Sequence, residues 1–117
     1  MAKYETEVKG DFITVLKKIE DGIINGSTTA TLEDFSNFGS YAEGTRCAVR
    51  VFERYSYAGQ NRVSMTVTLF ESGGRIQLSA ITAGGSQGAF FKINTIGEEK
   101  FLDKLIDIVV ELNFEQQ

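Results

Sequence analysis

Polar and apolar residues alternate in the segment KYETEVK, residues 3–9, at the start of the chain. Tyr4, Thr6 and Val8 fall on one side of this pattern, and charged residues fall on the other. Because successive side chains of a strand point to opposite faces, this period of two predicts a β-strand with one face in water. Gly10 ends the pattern and separates this strand from the next segment.

The next segment has the spacing of an amphipathic helix. Asp11 precedes it and can cap the first turn, because its carboxylate can accept a hydrogen bond from a main-chain N–H there. Asn25 and Gly26 are residues that commonly end a helix, so the helix is expected to stop there. The apolar residues recur three or four positions apart and form one buried stripe: Phe12, Val15, Leu16, Ile19 and Ile23.

The middle of the chain predicts four more strands. A weak one covers residues 27–35, and three stronger ones cover residues 46–57, 62–71 and 75–82. Residues 36–45 are predicted to be a loop, because they combine small polar residues with glycine. A final helix then runs from about residue 96 to 113.

That final helix comes after the segment ITAGGSQGAFFKIN, residues 81–94, which holds three glycines in five residues. The glycine spacing does not match the phosphate-binding loop G-x-x-x-x-G-K-[ST]. Two interpretations remain, a main-chain nest for an anion near Ser86 and Lys92, or a simple connector into the helix. Thr95 and Glu98 have the spacing of a capping box at the start of that helix.

The resulting order β-α-β-β-β-β-α predicts an α+β fold. An antiparallel five-stranded sheet with both helices packed on one face satisfies this order. A crossover through the first helix lets the first strand pair with the fifth, which gives the spatial order 2-3-4-5-1. We expect a single domain over residues 1–117. The shape resembles the TATA-binding-protein-like group of α+β folds, and this likeness carries no function.

Two hairpins fix which residues share a face. A two-residue Gly73-Gly74 turn, typical of type I′, puts the apolar sides of the two flanking strands on one face. For the preceding hairpin, we expect an odd loop at residues 59–61, since it places Cys47 and Val51 on the core face. Cys47 is then a buried, inert thiol.

This choice of register turns the arginines of the sheet to the side without helices. Guanidinium groups with interleaved rings on an open face can hold a carboxylate, a phosphate or an unstacked base. The alternative is a solvated face, or the interface of a homodimer. The residues of this candidate binding face are Arg50, Phe52, Arg54, Arg62, Phe70 and Arg75.

A second candidate site lies at the rim between the sheet and the helices. A carboxylate beside two phenols, next to the glycine segment, could bind a small anionic ligand or support weak acid–base chemistry. More often such a group only closes the edge of a core. The rim residues are Glu53, Tyr55, Tyr57, Gly84, Gly85, Ser86 and Lys92.

Composition narrows the function classes. The chain has 117 residues, a net charge of −4, no histidine and one cysteine. The charge disfavours a protein that coats duplex DNA, and the lack of histidine removes the usual general base and zinc ligand. We therefore expect no metal or cofactor. One cysteine permits no internal disulfide, which favours the cytoplasm, and no apolar run is long enough for a membrane span.

The strings CAVRVFERYSYAGQNRVSMTVTLF and LSAITAGGSQGAFFKINTIGEEKFL resemble a family of small bacterial proteins classed as a domain of unknown function. The resemblance covers nearly the whole chain and implies one compact α+β domain, without activity or catalytic residues to carry over. We expect a non-catalytic cytoplasmic interaction module, homodimeric through the candidate binding face. The alternatives are a small anionic ligand at the rim and, less favoured, single-stranded nucleic acid on the open face.

Overall fold

A computed structural model describes residues 1–56, 61–84 and 91–116, with the main chain alone for residue 56 and residues 91–95. Two helices and five strands form within these ranges, together with a short 3-10 turn at Tyr41–Glu43. In chain order they are β1 (Ala2–Val8), α1 (Phe12–Asn25), β2 (Thr31–Ser40), β3 (Thr45–Ser56), β4 (Asn61–Ser72), β5 (Arg75–Gly84) and α2 (Phe91–Glu115).

The strands form one antiparallel sheet in the order β1-β5-β4-β3-β2, which confirms the predicted fold class and strand order. β1 and β2 lie at opposite edges of this sheet, so the connection through α1 crosses from one edge to the other. α2 packs against β1, β5 and β4, and α1 packs against α2. One face of the sheet is therefore covered by helices, and we call the other the open face.

The core lies between the helices and the covered face. α1 contributes the predicted apolar stripe, and α2 contributes a similar one. Asp11 caps α1 as expected, since its carboxylate accepts a hydrogen bond from the Thr14 main-chain N–H at 3.0 Å. The strand residues buried in the core are Val8, Ala48, Phe52, Val63, Met65, Val67, Leu69, Ile76, Leu78 and Ala80.

The turn between β4 and β5 matches its prediction. Gly73 and Gly74 have φ values of 61° and 77°, and the flanking residues Ser72 and Arg75 pair. Positive φ at both central positions is what a type I′ turn requires, and glycine adopts it without a steric penalty. The faces predicted for β4 and β5 are therefore correct.

The register predicted between β3 and β4 is wrong. Ser56 pairs with Asn61, so the connection spans residues 57–60 and not the odd loop at 59–61. Because the face alternates with every residue, this shift exchanges the two faces of β3. Phe52 pairs with Met65 and is fully buried against the helices, whereas Cys47 pairs with Phe70 on the open face.

β2 begins and ends later than predicted. It covers Thr31–Ser40, so the first half of the predicted loop at residues 36–45 is strand, and the 3-10 turn follows it. β2 is an edge strand, and every residue from Thr31 to Gly39 is exposed. Its register with β3 shifts once, between Leu32 and Asp34.

α2 also differs from its predicted bounds, because it begins at Phe91 and not near residue 96. Thr95 lies inside the helix and cannot be its N-cap, so the predicted capping box is wrong. The Glu98 carboxylate instead accepts a hydrogen bond from the Gly84 main-chain N–H at 2.8 Å, and it is buried. Its other oxygen faces the amino group of Met1.

Candidate functional site

Three arginines lie four residues apart on β3, at positions 46, 50 and 54, and share the helix-covered face. The spacing of four keeps them on one side of the strand, as the sequence predicted, but the side is the opposite one. Each guanidinium lies over an aromatic ring that is brought there by another element. We call these three residues the arginine row: Arg46, Arg50 and Arg54.

Arg46 begins the arginine row and contacts two aromatic rings and one carboxylate. Its guanidinium is 4.5 Å from the centre of the Phe12 ring of α1 and 5.4 Å from that of Tyr41. Its Nε donates to Oε1 of Glu71 at 2.7 Å, across the β3–β4 pair. Both side chains of this ion pair are mostly buried, so it anchors the edge of the core.

Arg50 is the most enclosed member of the row, with only 7% of its side chain exposed. Its Nε donates to the Glu20 carboxylate of α1 at 3.0 Å. Its Nη1 donates to Asn37 Oδ1 and to two main-chain carbonyls, those of residues 36 and 49, at 2.9–3.2 Å. A buried cation is tolerated when it is paired and its donors are satisfied, and these contacts supply a carboxylate and acceptors for Nε and Nη1.

Arg54 occupies the third position of the row without such contacts. Its guanidinium lies 4.8 Å from the centre of the Phe101 ring of α2, and it is partly buried there. Within the described ranges it donates no hydrogen bond and forms no ion pair. Burial lowers the pKa of Arg54, because desolvation disfavours the charged form.

A second uncompensated polar group lies on the same face, close to Arg54 in the sheet. Asn61 begins β4 and pairs with Ser56, two residues beyond the pair of Arg54 and Val63. The Oδ1 atom of Asn61 is buried and has no hydrogen-bond partner among the described residues. Among the described residues, this end of the covered face therefore carries a cation without an ion pair and an amide oxygen without a hydrogen-bond partner.

The open face carries charges that are already paired. Arg62 Nε donates to the Glu53 carboxylate at 2.7 Å, and Arg75 Nε donates to that of Glu7 at 2.7 Å. The hydrogen bond from Arg75 lowers the pKa of Glu7, because it stabilises the carboxylate.

The predicted binding face is thus divided between the two sides of the sheet. Arg50, Phe52 and Arg54 lie on the covered face, so their prediction as open-face residues is wrong. Arg62, Phe70 and Arg75 lie on the open face, as predicted. The reason is the single register error between β3 and β4, which moves every β3 side chain to the other face.

Two residues of the predicted rim lie on the other side of the sheet. Glu53 and Tyr55 point to the open face, so they do not border the helices. Gly84 ends β5 under Glu98, and Lys92 lies in the first turn of α2, where only its main chain is described. The remaining rim residues lie outside the described ranges: Tyr57, Gly85 and Ser86.

Cys47 is another β3 residue whose predicted environment is wrong. Cys47 does not lie on the core face. It is only partly buried and lies between Phe38 and Phe70 on the open face.

No cluster of three or more histidine, cysteine, aspartate or glutamate residues that could hold a metal occurs in the described ranges.

A shallow groove of about 490 Å³ crosses the open face above β5. Its walls come from β1, β4 and β5, and they include two carboxylates. No basic residue is among the described residues that line it, so the groove does not suit the anionic ligand expected from the sequence. The residues that line it are Glu5, Thr6, Glu7, Thr68, Phe70, Gln77, Leu78 and Ser79.

Sequence reasoning missed the exposure of β2 and the unpaired amide of Asn61. Four apolar residues in the region of residues 32–41 are the available signal for β2, but small polar residues and glycine make most of that region resemble a loop. Asn61 has no local signal, because its burial depends on the register of β3 and β4.

The fold defines a two-layer α+β protein with one bare sheet face. The chain belongs to a family of unknown function, DUF6054, whose family model matches residues 1–113. No curated protein and no solved structure matches the chain. No helix in the described ranges is long and apolar enough to cross a membrane.

Proposed function

We propose that the chain is a non-catalytic cytoplasmic interaction module that forms a homodimer through β2. The observation that carries this proposal is the exposure of a ten-residue edge strand on both of its faces. Large apolar side chains project from it and from the turn at its end. We call this surface the β2 edge, and its large apolar residues are Leu32, Phe35, Phe38 and Tyr41.

The part of β2 after Asp34 lacks the features that commonly protect exposed strands from pairing. Edge strands are commonly blocked by proline, lysine or a covering element, because their outer N–H and C=O groups are free to bind another strand. Thr31–Ser40 contains no proline and no basic residue. The one irregularity falls between Leu32 and Asp34, which leaves the remaining residues to Ser40 in regular pairing with β3.

A second copy of the chain fits this edge by symmetry. A two-fold axis perpendicular to the sheet makes two β2 strands antiparallel and keeps each face on its own side. With the axis at Ser36, Phe35 lies diagonal to Phe35 of the second copy, within reach of aromatic side chains. The two copies of Asp34 are then offset by about 13 Å along the strands, beyond the ~8 Å screening length.

The available area suits a modest dimer. Phe35 is 59% exposed and Phe38 is 64% exposed. With Leu32 and Tyr41 they offer on the order of 400 Å² of side-chain surface per copy, taking about 150–250 Å² for a whole aromatic side chain. Two copies and the paired strand edges together approach the ~1,200 Å² at the lower end of specific interfaces.

Size exclusion with light scattering, over a range of protein concentrations, tests the proposal. We expect the wild-type protein to shift from monomer to dimer as its concentration rises. Phe38→Lys places a charge in the interface and is expected to raise the dissociation constant about tenfold or more. Phe114→Lys makes the same change at an exposed aromatic residue of α2 and should leave the dimer intact.

A third variant separates the β2 edge from the open face. Thr66 lies in the middle of the open face, between Val51 and Ile81, so Thr66→Lys would disrupt a dimer built on that face. A wild-type protein that stays monomeric at all concentrations contradicts self-association. A dimer that is lost in Thr66→Lys but kept in Phe38→Lys contradicts the β2 edge.

Nucleic acid is not part of this proposal. The described open-face arginines, Arg62 and Arg75, are each paired with a glutamate, and Glu5 and Glu7 line the groove beside them. A strand of nucleic acid needs unpaired cations to replace its counterions. This arrangement therefore gives single-stranded nucleic acid little support.

A further inference from the structure

The arginine row has one member whose environment self-association does not explain. Arg46 and Arg50 each combine an aromatic ring with an intramolecular carboxylate, those of Glu71 and Glu20. Arg54 has the ring, that of Phe101, but no carboxylate. One position in the row therefore lacks the anion that its two equivalents possess.

No side-chain carboxylate of the protein fills this position. All sixteen aspartate and glutamate residues belong to the described ranges. The ion pairs that arginines form there involve Arg46, Arg50, Arg62 and Arg75, and none involves Arg54. An anion that pairs with Arg54 would therefore come from outside the chain or from its terminus.

The surroundings of Arg54 favour a small oxyanion. A guanidinium presents its N–H donors in its plane, so a ring on one flat side removes water there, and among the described residues the donors have no acceptor. Asn61 lies diagonally across the β3–β4 pair on the same face, and its buried amide oxygen has no partner in the described ranges. Rotating that amide by 180° exchanges its oxygen for an NH₂ group, which can donate to an anion.

We propose that Arg54, with Asn61 beside it and Phe101 beneath it, is a binding site for a small oxyanion, either a carboxylate or a phosphate. The planar fork of Arg54 matches two oxygens of either group, and the amide of Asn61 supplies a further donor. This site is separate from the β2 edge and is independent of whether the protein dimerises. The lowered pKa of Arg54 agrees with it, because a bound anion would restore the stability of the charged form.

Two-dimensional NMR of arginine Nε–H groups, in the full chain at constant ionic strength, tests this site. Inorganic phosphate and acetate are titrated separately, with chloride withdrawn to match, so the two sources of the oxyanion are distinguished. We expect a saturable shift of the Arg54 signal with at least one of them. Arg54→Gln should raise the dissociation constant, measured by calorimetry, about tenfold or more, since a charge-assisted hydrogen bond is lost.

Arg62→Gln is the matched control, because it removes an arginine from the open face of the same hairpin. It should leave binding unchanged. Asn61→Ala should weaken binding less than Arg54→Gln does. The absence of a saturable shift with both anions overturns the proposal, as does equal binding by wild type and Arg54→Gln. An equal loss in Arg62→Gln would also overturn it, by showing a general effect of charge.

Discussion

Arg50 connects three elements through one guanidinium. It donates to Glu20 of α1, to Asn37 of β2, and to the main-chain carbonyls of residue 36 in β2 and residue 49 in β3 itself. Arg50→Met keeps the length of the side chain but leaves those acceptors without their donor. Glu20 is partly exposed and can be rehydrated, so we expect a loss of about 2–3 kcal/mol in the free energy of unfolding.

Urea unfolding monitored by circular dichroism measures this loss. Lys17→Met is the control, because Lys17 is an exposed cation of α1 with one weak ion pair at 3.7 Å. Its effect should stay within about 0.5 kcal/mol. A similarly small effect for Arg50→Met would show that its hydrogen bonds add no net stability.

Arg54→Met should behave in the opposite way. The methionine keeps the contact with Phe101, and in the described ranges no acceptor is left unpaired. Removing a partly buried, uncompensated charge relieves its desolvation, so the free energy of unfolding should stay the same or rise by up to about 1 kcal/mol. The same urea experiment measures the free energy of unfolding of Arg54→Met. A loss of stability as large as that of Arg50→Met would contradict the oxyanion site.

The arginine row also shows how far the spacing of residues specifies a structure. The spacing of four correctly placed Arg46, Arg50 and Arg54 on one face of β3, because parity within a strand depends only on the sequence. The choice of face depends on the length of the next loop, and Cys47, Val49 and Val51 favour the wrong choice. Both faces of β3 carry apolar residues, so the pattern alone could not decide between them.

At the scale of elements, the start of α1 predicts a pH dependence. The Asp11 carboxylate accepts hydrogen bonds from the main-chain N–H and the hydroxyl of Thr14, and the main-chain bond is the larger cause of its lowered pKa. A carboxyl whose folded pKa is lowered stabilises the fold above its ordinary pKa. That stability is lost as the pH falls through the lowered value.

Asp11→Ala should therefore destabilise the protein at neutral pH. The gap between wild type and variant should shrink when unfolding is measured below the ordinary carboxyl pKa of about 3.9. Urea unfolding at both pH values checks this. A gap that is equal at the two pH values would mean that the cap does not act through its charge.

The hairpin between β2 and β3 depends on Gly39. Gly39 has a φ of 75°, and a Cβ built there would lie 2.1 Å from the main-chain oxygen of Thr45. Gly73 has a φ of 61° but open space around it. Gly73→Ala should cost about 1–2 kcal/mol from the left-handed backbone alone, and Gly39→Ala about 3 kcal/mol or more. Thermal unfolding compares them, and equal costs would contradict the close contact.

Elements with a regular spacing of apolar residues were predicted well. Elements whose bounds depend on contacts with distant residues were not. β1, α1 and the β4–β5 hairpin follow from alternation, a cap residue and a turn type. α2 starts earlier than its capping signal indicates. The carboxylate expected in that cap, Glu98, instead bonds Gly84 at the end of β5. Such a contact between distant elements leaves no local trace in the sequence.

At the scale of the whole molecule, the strand order was predictable because few topologies join these elements without crossing connections. The positions of the uncovered surfaces could not be predicted, because they depend on how far the two helices extend across the sheet. The molecule measures 49 × 28 × 22 Å, and its helices leave β2 exposed on both faces. This exposure is the observation on which the proposed dimer rests.

Self-association through β2 makes thermal stability depend on protein concentration. Only the folded chain presents the β2 edge, so dimerisation stabilises the folded state by mass action. For a chain of this size we expect Tm to rise by about 2 °C or more for each tenfold increase in concentration. In Phe38→Lys this dependence of Tm on concentration should vanish, while Phe114→Lys should keep it.

Phe38 is 64% exposed, so at the lowest concentration the Tm of Phe38→Lys should approach that of wild type. A Phe38→Lys protein that unfolds early at every concentration would show a role within the monomer, and a flat slope in wild type would exclude the dimer.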